Sequence, residues 1–220
     1  SGAHEAWYWG NFIPEIPRQM MLRYTQADEW VLDPFVGSGT TLIECRRLGR
    51  NGLGIELNPE VAGHARTRLD QEPNPHHVVT EIAVGDSRML DVEAVLAERG
   101  VTQVQLLVMH PPYHDIIQFS ESDRDLSNAP SVDAFVHQLT DVVRNTYDWL
   151  AYGRYLVIVI GDKYEDGTWI PLGFRVMDAV RQQGYRLKSI VVKNLDRTRA
   201  KRDQEALWRY RALAGGFYVF

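Results

Sequence analysis

An acid, a glycine-rich turn and two further acids are the residues whose types and order could do chemistry in this chain. Asp33 closes a short apolar run and is followed by Phe35-Val36-Gly37-Ser38-Gly39-Thr40-Thr41. Glycines at 37 and 39 let the backbone approach a ligand closely, and a helix opening at Thr40 presents unpaired N–H groups. A phosphate-binding turn would carry a lysine directly after its glycines, where threonine stands here. The dinucleotide fingerprint would need a third glycine, which is missing, and an acid before the turn repels a pyrophosphate. The next apolar run ends at Glu56, and a carboxylate on a strand tip can accept from two ribose hydroxyls. Asp86, in Val84-Gly85-Asp86-Ser87-Arg88, falls at the third tip, within reach of an adenine edge. Any one of these acids could simply cap a helix. Together, on three consecutive strand ends, they describe a nucleoside pocket without a phosphate site.

The elements that must position these residues follow from the hydrophobic pattern. Strands are expected at Trp30–Asp33, Gly52–Leu57, Val78–Val84, Val104–Met109, Arg154–Ile160, Ser189–Lys193 and Phe217–Phe220. Helices are expected at Thr40–Leu48, Glu60–Gln71, Val92–Arg99, Val132–Leu150 and Gly173–Gln183. Several strands are rich in Val and Ile with little polar alternation, as in strands covered on both faces. The alternation specifies an α/β fold with a doubly wound, mostly parallel, seven-stranded sheet and helices on both faces. Right-handed crossovers then gather the strand C-termini on one edge, where ligands bind. The longest irregular stretch, 114–131, reads as a functional or mobile loop.

With these residues in view, the chain resembles the S-adenosylmethionine-dependent amino-methyltransferases of DNA, the N4-cytosine and N6-adenine group. Phe35–Thr41 resembles that family's first motif, Glu56 its ribose acid and Asp86 its adenine-side acid. Trp9–Met21 resembles the segment that closes over the methionine end of the cofactor. The resemblance implies the Rossmann-like methyltransferase fold and S-adenosyl-L-methionine as cofactor. It implies cofactor contacts from Asn11, Phe12, Pro14, Asp33, Phe35, Gly37, Ser38, Gly39, Thr40, Thr41, Glu56, Leu57, Asp86 and Ser87. The most telling segment is His110-Pro111-Pro112-Tyr113, where the family pattern is Asp, Asn or Ser before Pro-Pro-Tyr or Pro-Pro-Phe. The prolines remove backbone donors and hold the chain extended, so the Pro111 carbonyl can accept from an exocyclic amine. The side chain at 110 supplies a second acceptor, and Tyr113 a flat face for an extruded base. Histidine departs from the pattern and accepts only when neutral, so activity should fall on the acidic side.

The resemblance spans nearly the whole chain as one catalytic domain, 1–220: a closing segment (1–29), a cofactor half (30–100) and a catalytic half (101–220). No separate target-recognition region is visible, so the 114–131 loop, the basic C-terminal stretch or a second subunit must read the site. The reaction implied is site-specific methylation of double-stranded DNA. Cytosine N4 is preferred, because Phe12-Ile13-Pro14-Glu15-Ile16-Pro17 is closer to the closing segment of cytosine members. Adenine N6 is the runner-up. An RNA amino-methyltransferase and a catalytically silent nucleic-acid-binding subunit are the further alternatives. Candidate protein partners are a second copy of the chain or a cognate restriction endonuclease.

The remaining signals are weaker. The chain of 220 residues has a net charge of −5, yet residues 186–211 hold nine Lys or Arg against three acids. Lys193, Arg197, Arg199, Lys201 and Arg202 are the candidate phosphate contacts, weighed against a solvated charged face. Trp7, Tyr8 and Trp9 suit a cofactor lid or packing. Asp162 and Lys163 could border the substrate cleft. His110 and His114 have a metal-ligand spacing, but two prolines between them exclude a helix, and no metal site is expected. Cys45 reads as a core residue, and His76-His77 as exposed. At 45% hydrophobic residues the chain is an ordinary globular one. Its single cysteine, polar start and lack of a membrane-length apolar run lead us to expect a cytoplasmic protein without a membrane.

Overall fold

The computed structural model describes residues 13–192. Its elements are α1 (Glu15–Tyr24), β1 (Trp30–Asp33), α2 (Thr40–Leu48), β2 (Asn51–Glu56), α3 (Pro59–Gln71), β3 (Thr80–Val84), α4 (Val92–Ala97) and β4 (Val104–Met109). After two single 3-10 turns come α5 (Val132–Tyr147), β5 (Leu150–Ile158), β6 (Lys163–Glu165), β7 (Thr168–Ile170) and α6 (Leu172–Gln182). The first five strands form one parallel sheet in the order β3-β2-β1-β4-β5. Leu32 in β1 lies opposite Leu53 in β2 and Leu107 in β4. From β1 the chain winds outward to β2 and β3, then crosses back to β4. The tips of β1 and β4 therefore flank a switch point, where the loops diverge and leave a crevice.

Alternation along each strand divides the core between the two sheet faces. Val31 belongs to a cluster with Met21 of α1 and Cys45 of α2, whereas Leu32 packs with Phe135 and Leu139 of α5. Asn58 caps α3 by accepting from the N–H groups of Glu60 and Val61, ahead of Pro59 in the first turn. Ser131 caps α5 through Ala134 N–H. These caps begin both helices close to the strand tips that carry the site. Among the described residues no helix is long and apolar enough to cross a membrane.

The structure corrects the expected elements in several places. Among the described residues the parallel sheet has five strands, not seven. Ser189–Val192 carries no regular structure, and Phe217–Phe220 lies outside the described residues. The expected helix over 132–150 ends at Tyr147, and β5 begins at Leu150 rather than Arg154. A register shift lets β5 pair early: Val104 faces Leu150 but Leu106 faces Tyr155, with Gly153 at φ +76° in the bulge. Helix α1 was not expected, because Pro14 and Pro17 interrupt its pattern. Both fall where a helix tolerates proline, at the N-cap and within the first turn, whose N–H groups have no helical partner. The β6–β7 hairpin was also missed, although Asp166-Gly167, both at positive φ, is the two-residue turn such hairpins favour.

Candidate active site

The site begins beneath the glycine turn. Asp33 is 1% exposed, and its carboxylate accepts from Phe35 N–H at 2.9 Å and from the Thr41 hydroxyl at 2.5 Å. It therefore ties the start of the turn to the first residues of α2. Burial pushes its pKa up to about 7 against the pull of these two bonds, and the nearby Glu56 charge adds to the rise. Gly37 and Gly39 sit at φ +49° and +85°, the left-handed region in which a side chain is strained. Glu56 then stitches the turn to the tip of β2: Gly37 N–H donates to Oε2 at 3.0 Å and Asn58 N–H to Oε1 at 2.9 Å. Burial raises the pKa of Glu56, opposed by these N–H groups and reinforced by Asp125. A carboxylate already occupying a turn N–H leaves a hostile place for a phosphate.

The third tip is fastened to the first, since Ser87 donates its hydroxyl to the Pro34 carbonyl at 2.6 Å. Asp86 receives Arg88 through both oxygens, with Nη2 at 2.7 Å and Nε at 3.1 Å. Burial alone would raise the Asp86 pKa, but the Arg88 bonds and charge hold it below its ordinary value. Arg88 also donates to the Arg124 carbonyl at 3.3 Å, linking this tip to the irregular 114–131 stretch.

At the fourth tip the chain leaves β4 at Met109 and runs through His110-Pro111-Pro112 without regular structure. His110 Nε2 lies 3.0 Å from the Tyr113 hydroxyl, with the two rings edge-on at 83°. Burial raises the pKa of the Tyr113 phenol, keeping it protonated. A Cβ on Gly161, just beyond β5, would stand 2.9 Å from Tyr113 Cε2, so the Tyr113 ring lies directly on that backbone.

One cleft joins these tips. Its wall includes Phe35, Gly37, Ser38, Thr40, Leu57, Asp86 and Ser87 on the glycine-turn side, with His110, Pro111, Pro112 and Tyr113 across from them. Asp33, Gly39 and Thr41 are buried behind the wall and shape it, whereas Glu56 is half-buried next to Leu57, which lines it. Pro14 opens α1 and is not part of it, while Asn11 and Phe12 lie outside the described residues. Lys193, Arg197, Arg199, Lys201 and Arg202, like Trp7, Tyr8 and Trp9, also lie outside them. Asp162 does not border the cleft: it accepts from Gly173 N–H in the first turn of α6. Nor does Lys163, which is buried beside His114. Cys45 is fully buried in the α1–α2 cluster, and burial pushes its thiol pKa up, so it is inert packing.

Sequence reasoning missed Pro34, Val36, Asn58, Val61, Ile116, Ile117, Phe119, Ser120, Arg124, Asp125, Leu126 and Val142, which complete the wall. Most come from the 114–131 stretch, whose only signal was its length. The donor set fits a nucleoside carrying an amino-acid arm: apolar faces for a base, carboxylates at the strand tips and a backbone cradle at Gly37–Ser38. Glu56, half-buried at the β2 tip, is a carboxylate that can accept a hydroxyl donor besides the N–H groups it already holds.

Comparison with known proteins agrees with this geometry. Residues 11–66 match the family model of N6 and N4 methyltransferases described as DNA methylase. The Type II methyltransferase M.MjaII of Methanocaldococcus jannaschii is 40% identical over 52 residues, covering 24% of this chain and 10% of that protein. M.HpaI of Haemophilus parainfluenzae is 43% identical over 63 residues, 29% of this chain and 20% of its own length. M.Cfr9I of Citrobacter freundii is 43% identical over 72 residues, 33% and 23% of the two chains. The matches thus span between a tenth and about a quarter of these curated relatives. Among solved structures, TrmN from Thermus thermophilus superposes with a TM-score of 0.53 at 18% identity, over 78% of this chain and 42% of that one. A precorrin 8W decarboxylase from Methanobacterium thermoautotrophicum gives 0.51 at 15% identity, over 80% and 75%. At such identities these two establish the shared Rossmann-like fold alone.

Proposed function

We propose that this chain, whose residues 11–66 carry the DNA methylase pattern, is an S-adenosylmethionine-dependent methyltransferase acting on an exocyclic amine in double-stranded DNA. One observation carries the reading. His110-Pro111-Pro112-Tyr113 opens from the β4 tip into the same cleft as the glycine turn of β1, so amine-holding and cofactor-holding groups face one space. The cofactor half is 30–100 and the catalytic half begins at 101. Phe35, Gly37 and Ser38 cradle the methionine end, Glu56 receives the ribose hydroxyls, and Leu57, Asp86 and Ser87 flank the adenine. When bound, S-adenosylmethionine supplies a methyl group on a positively charged sulfur.

The chain's own residues do the rest. The Pro111 carbonyl and the His110 imidazole accept the two hydrogens of the target amine, turning its lone pair away from the base ring. Tyr113 stacks on the flipped base. The new bond joins nitrogen to the methyl carbon as the carbon–sulfur bond breaks, and one amine proton leaves to solvent. Holding donor and acceptor in line supplies most of the rate. Basic residues from Lys193 to Arg202 contact phosphates, and the enzyme works in the cytoplasm, as a homodimer or beside a restriction endonuclease.

Cytosine N4 is the preferred target. The test is to incubate synthetic duplexes with labelled cofactor and digest them to nucleosides. N4-methyl-2′-deoxycytidine is the expected product. N6-methyl-2′-deoxyadenosine alone would overturn the choice of base, and label entering RNA but not DNA when both are supplied would overturn the choice of substrate.

A further inference from the structure

Behind the cleft lies a polar cluster that the mechanism above does not use. His114 directly follows the Pro-Pro-Tyr corner and is 6% exposed, with φ at +55°, a conformation costly for a residue with a side chain. Such strain persists only where the surroundings hold it. His114 Nε2 lies 2.9 Å from the Ala129 carbonyl, and its ring meets Phe135 edge-on. A carbonyl can only accept, so Nε2 carries the proton and the neutral ring has its lone pair on Nδ1. Lys163, at the start of β6, brings Nζ to 3.3 Å from that nitrogen and 2.9 Å from Glu165 Oε1. Lys163 is itself only 6% exposed. Burying an ammonium is expensive, and an apolar side chain would pack at this place more cheaply.

The geometry points to Lys163 as a positioning residue of the proposed transfer. It fixes the tautomer and place of His114, and His114 in turn staples the two ends of the 114–129 segment together. That segment supplies Ile116, Ile117, Phe119, Arg124, Asp125 and Leu126 to the cleft wall. The same stretch of chain supports Tyr113 as well, because Gly161 lies under the Tyr113 ring two residues before Lys163. A single short segment, 161–165, thus sets both the aromatic platform and the wall beside it. Lys163 is not part of the cleft wall.

This inference rests on the methyl-transfer reading, and its test separates the two. Lys163→Met, Lys163→Arg and His114→Asn are compared with wild type for kcat, cofactor KM and binding of the demethylated cofactor by calorimetry. The His114 ring nitrogens are followed by 15N NMR. Lys163→Met should lower kcat about ten- to hundredfold, the usual result of misplacing reacting groups by an ångström or less. Cofactor binding should stay within about threefold of wild type, since the machinery that holds it is elsewhere. Lys163→Arg, which keeps a cationic donor, should recover most of the rate, and His114→Asn should retain more activity than Lys163→Met because asparagine tolerates the left-handed backbone. The Nδ1 resonance should shift in Lys163→Met. Unchanged kcat in Lys163→Met, or a loss that Lys163→Arg does not restore, overturns the inference. If wild type transfers no methyl group, the functional reading fails, while an unmoved Nδ1 resonance would separately refute the lysine–histidine contact.

Discussion

Asp33 holds the glycine turn in shape while carrying a charge that its surroundings do not favour, and replacing it by asparagine exposes that conflict. The carboxylate is buried and its pKa rises from 3.8 to about 7, with burial the main cause. In the unfolded chain it titrates near its ordinary value, so between about pH 4 and pH 7 the folded protein binds the extra proton. Stability from this group is therefore complete below pH 4 and is lost as pH rises through 7. A rise of roughly three pKa units at ~1.4 kcal/mol each amounts to ~4 kcal/mol across that window. Asparagine can keep both contacts, its oxygen accepting from Phe35 N–H and its amide donating to the Thr41 oxygen. Urea unfolding of both proteins from pH 4 to pH 8 measures the difference. The Asp33→Asn protein should match wild type at pH 4 and exceed it at pH 8 by ~4 kcal/mol, a midpoint shift of ~2 M at a typical slope of about 2 kcal/mol/M. Parallel stability curves for the two proteins would show that the Asp33 carboxylate is not strained by burial and would refute the reasoning.

Three further outcomes follow from the site. Glu56→Gln cannot accept from both the Gly37 and Asn58 N–H groups, and leaving one unpaired costs about 1–3 kcal/mol, so cofactor binding by calorimetry should weaken roughly ten- to hundredfold with kcat at saturation much less affected. In Gly161→Ala the new methyl would meet Tyr113 at 2.9 Å and displace its ring; single-turnover transfer should slow at least about tenfold while calorimetric cofactor affinity holds. His110→Asn should abolish the loss of rate on the acidic side of the wild-type pH profile, because an amide oxygen accepts at any pH whereas a protonated imidazole cannot; an unchanged acid limb would remove His110 from the acceptor role.

The cofactor side of the site was legible along the chain because its requirements are local. A left-handed turn needs Gly37 and Gly39 wherever it occurs, and short continuous apolar runs place Asp33, Glu56 and Asp86 at strand tips without knowledge of their neighbours. The Pro111-Pro112 corner is local for the same reason, since proline rigidity acts on its own backbone. What those acids do once folded was not legible. Asp33 appears in a linear reading as a ligand-facing group, but folding buries it behind the wall, where it grips Phe35 and Thr41, and Glu56 also takes on the Gly37 and Asn58 N–H groups. Lys163 appeared to border the cleft and instead lies buried against His114, 49 positions away. Arg124, Asp125 and Leu126 had no motif at all, because an irregular loop has no period and its place depends on which surfaces it lies across. Sequence alone therefore determined which backbone shapes were available and where the strands had to end. Only the tertiary structure decided which polar group meets which, because those pairings come from the crossing of distant segments, and their energies depend on burial that a chain acquires only when packed.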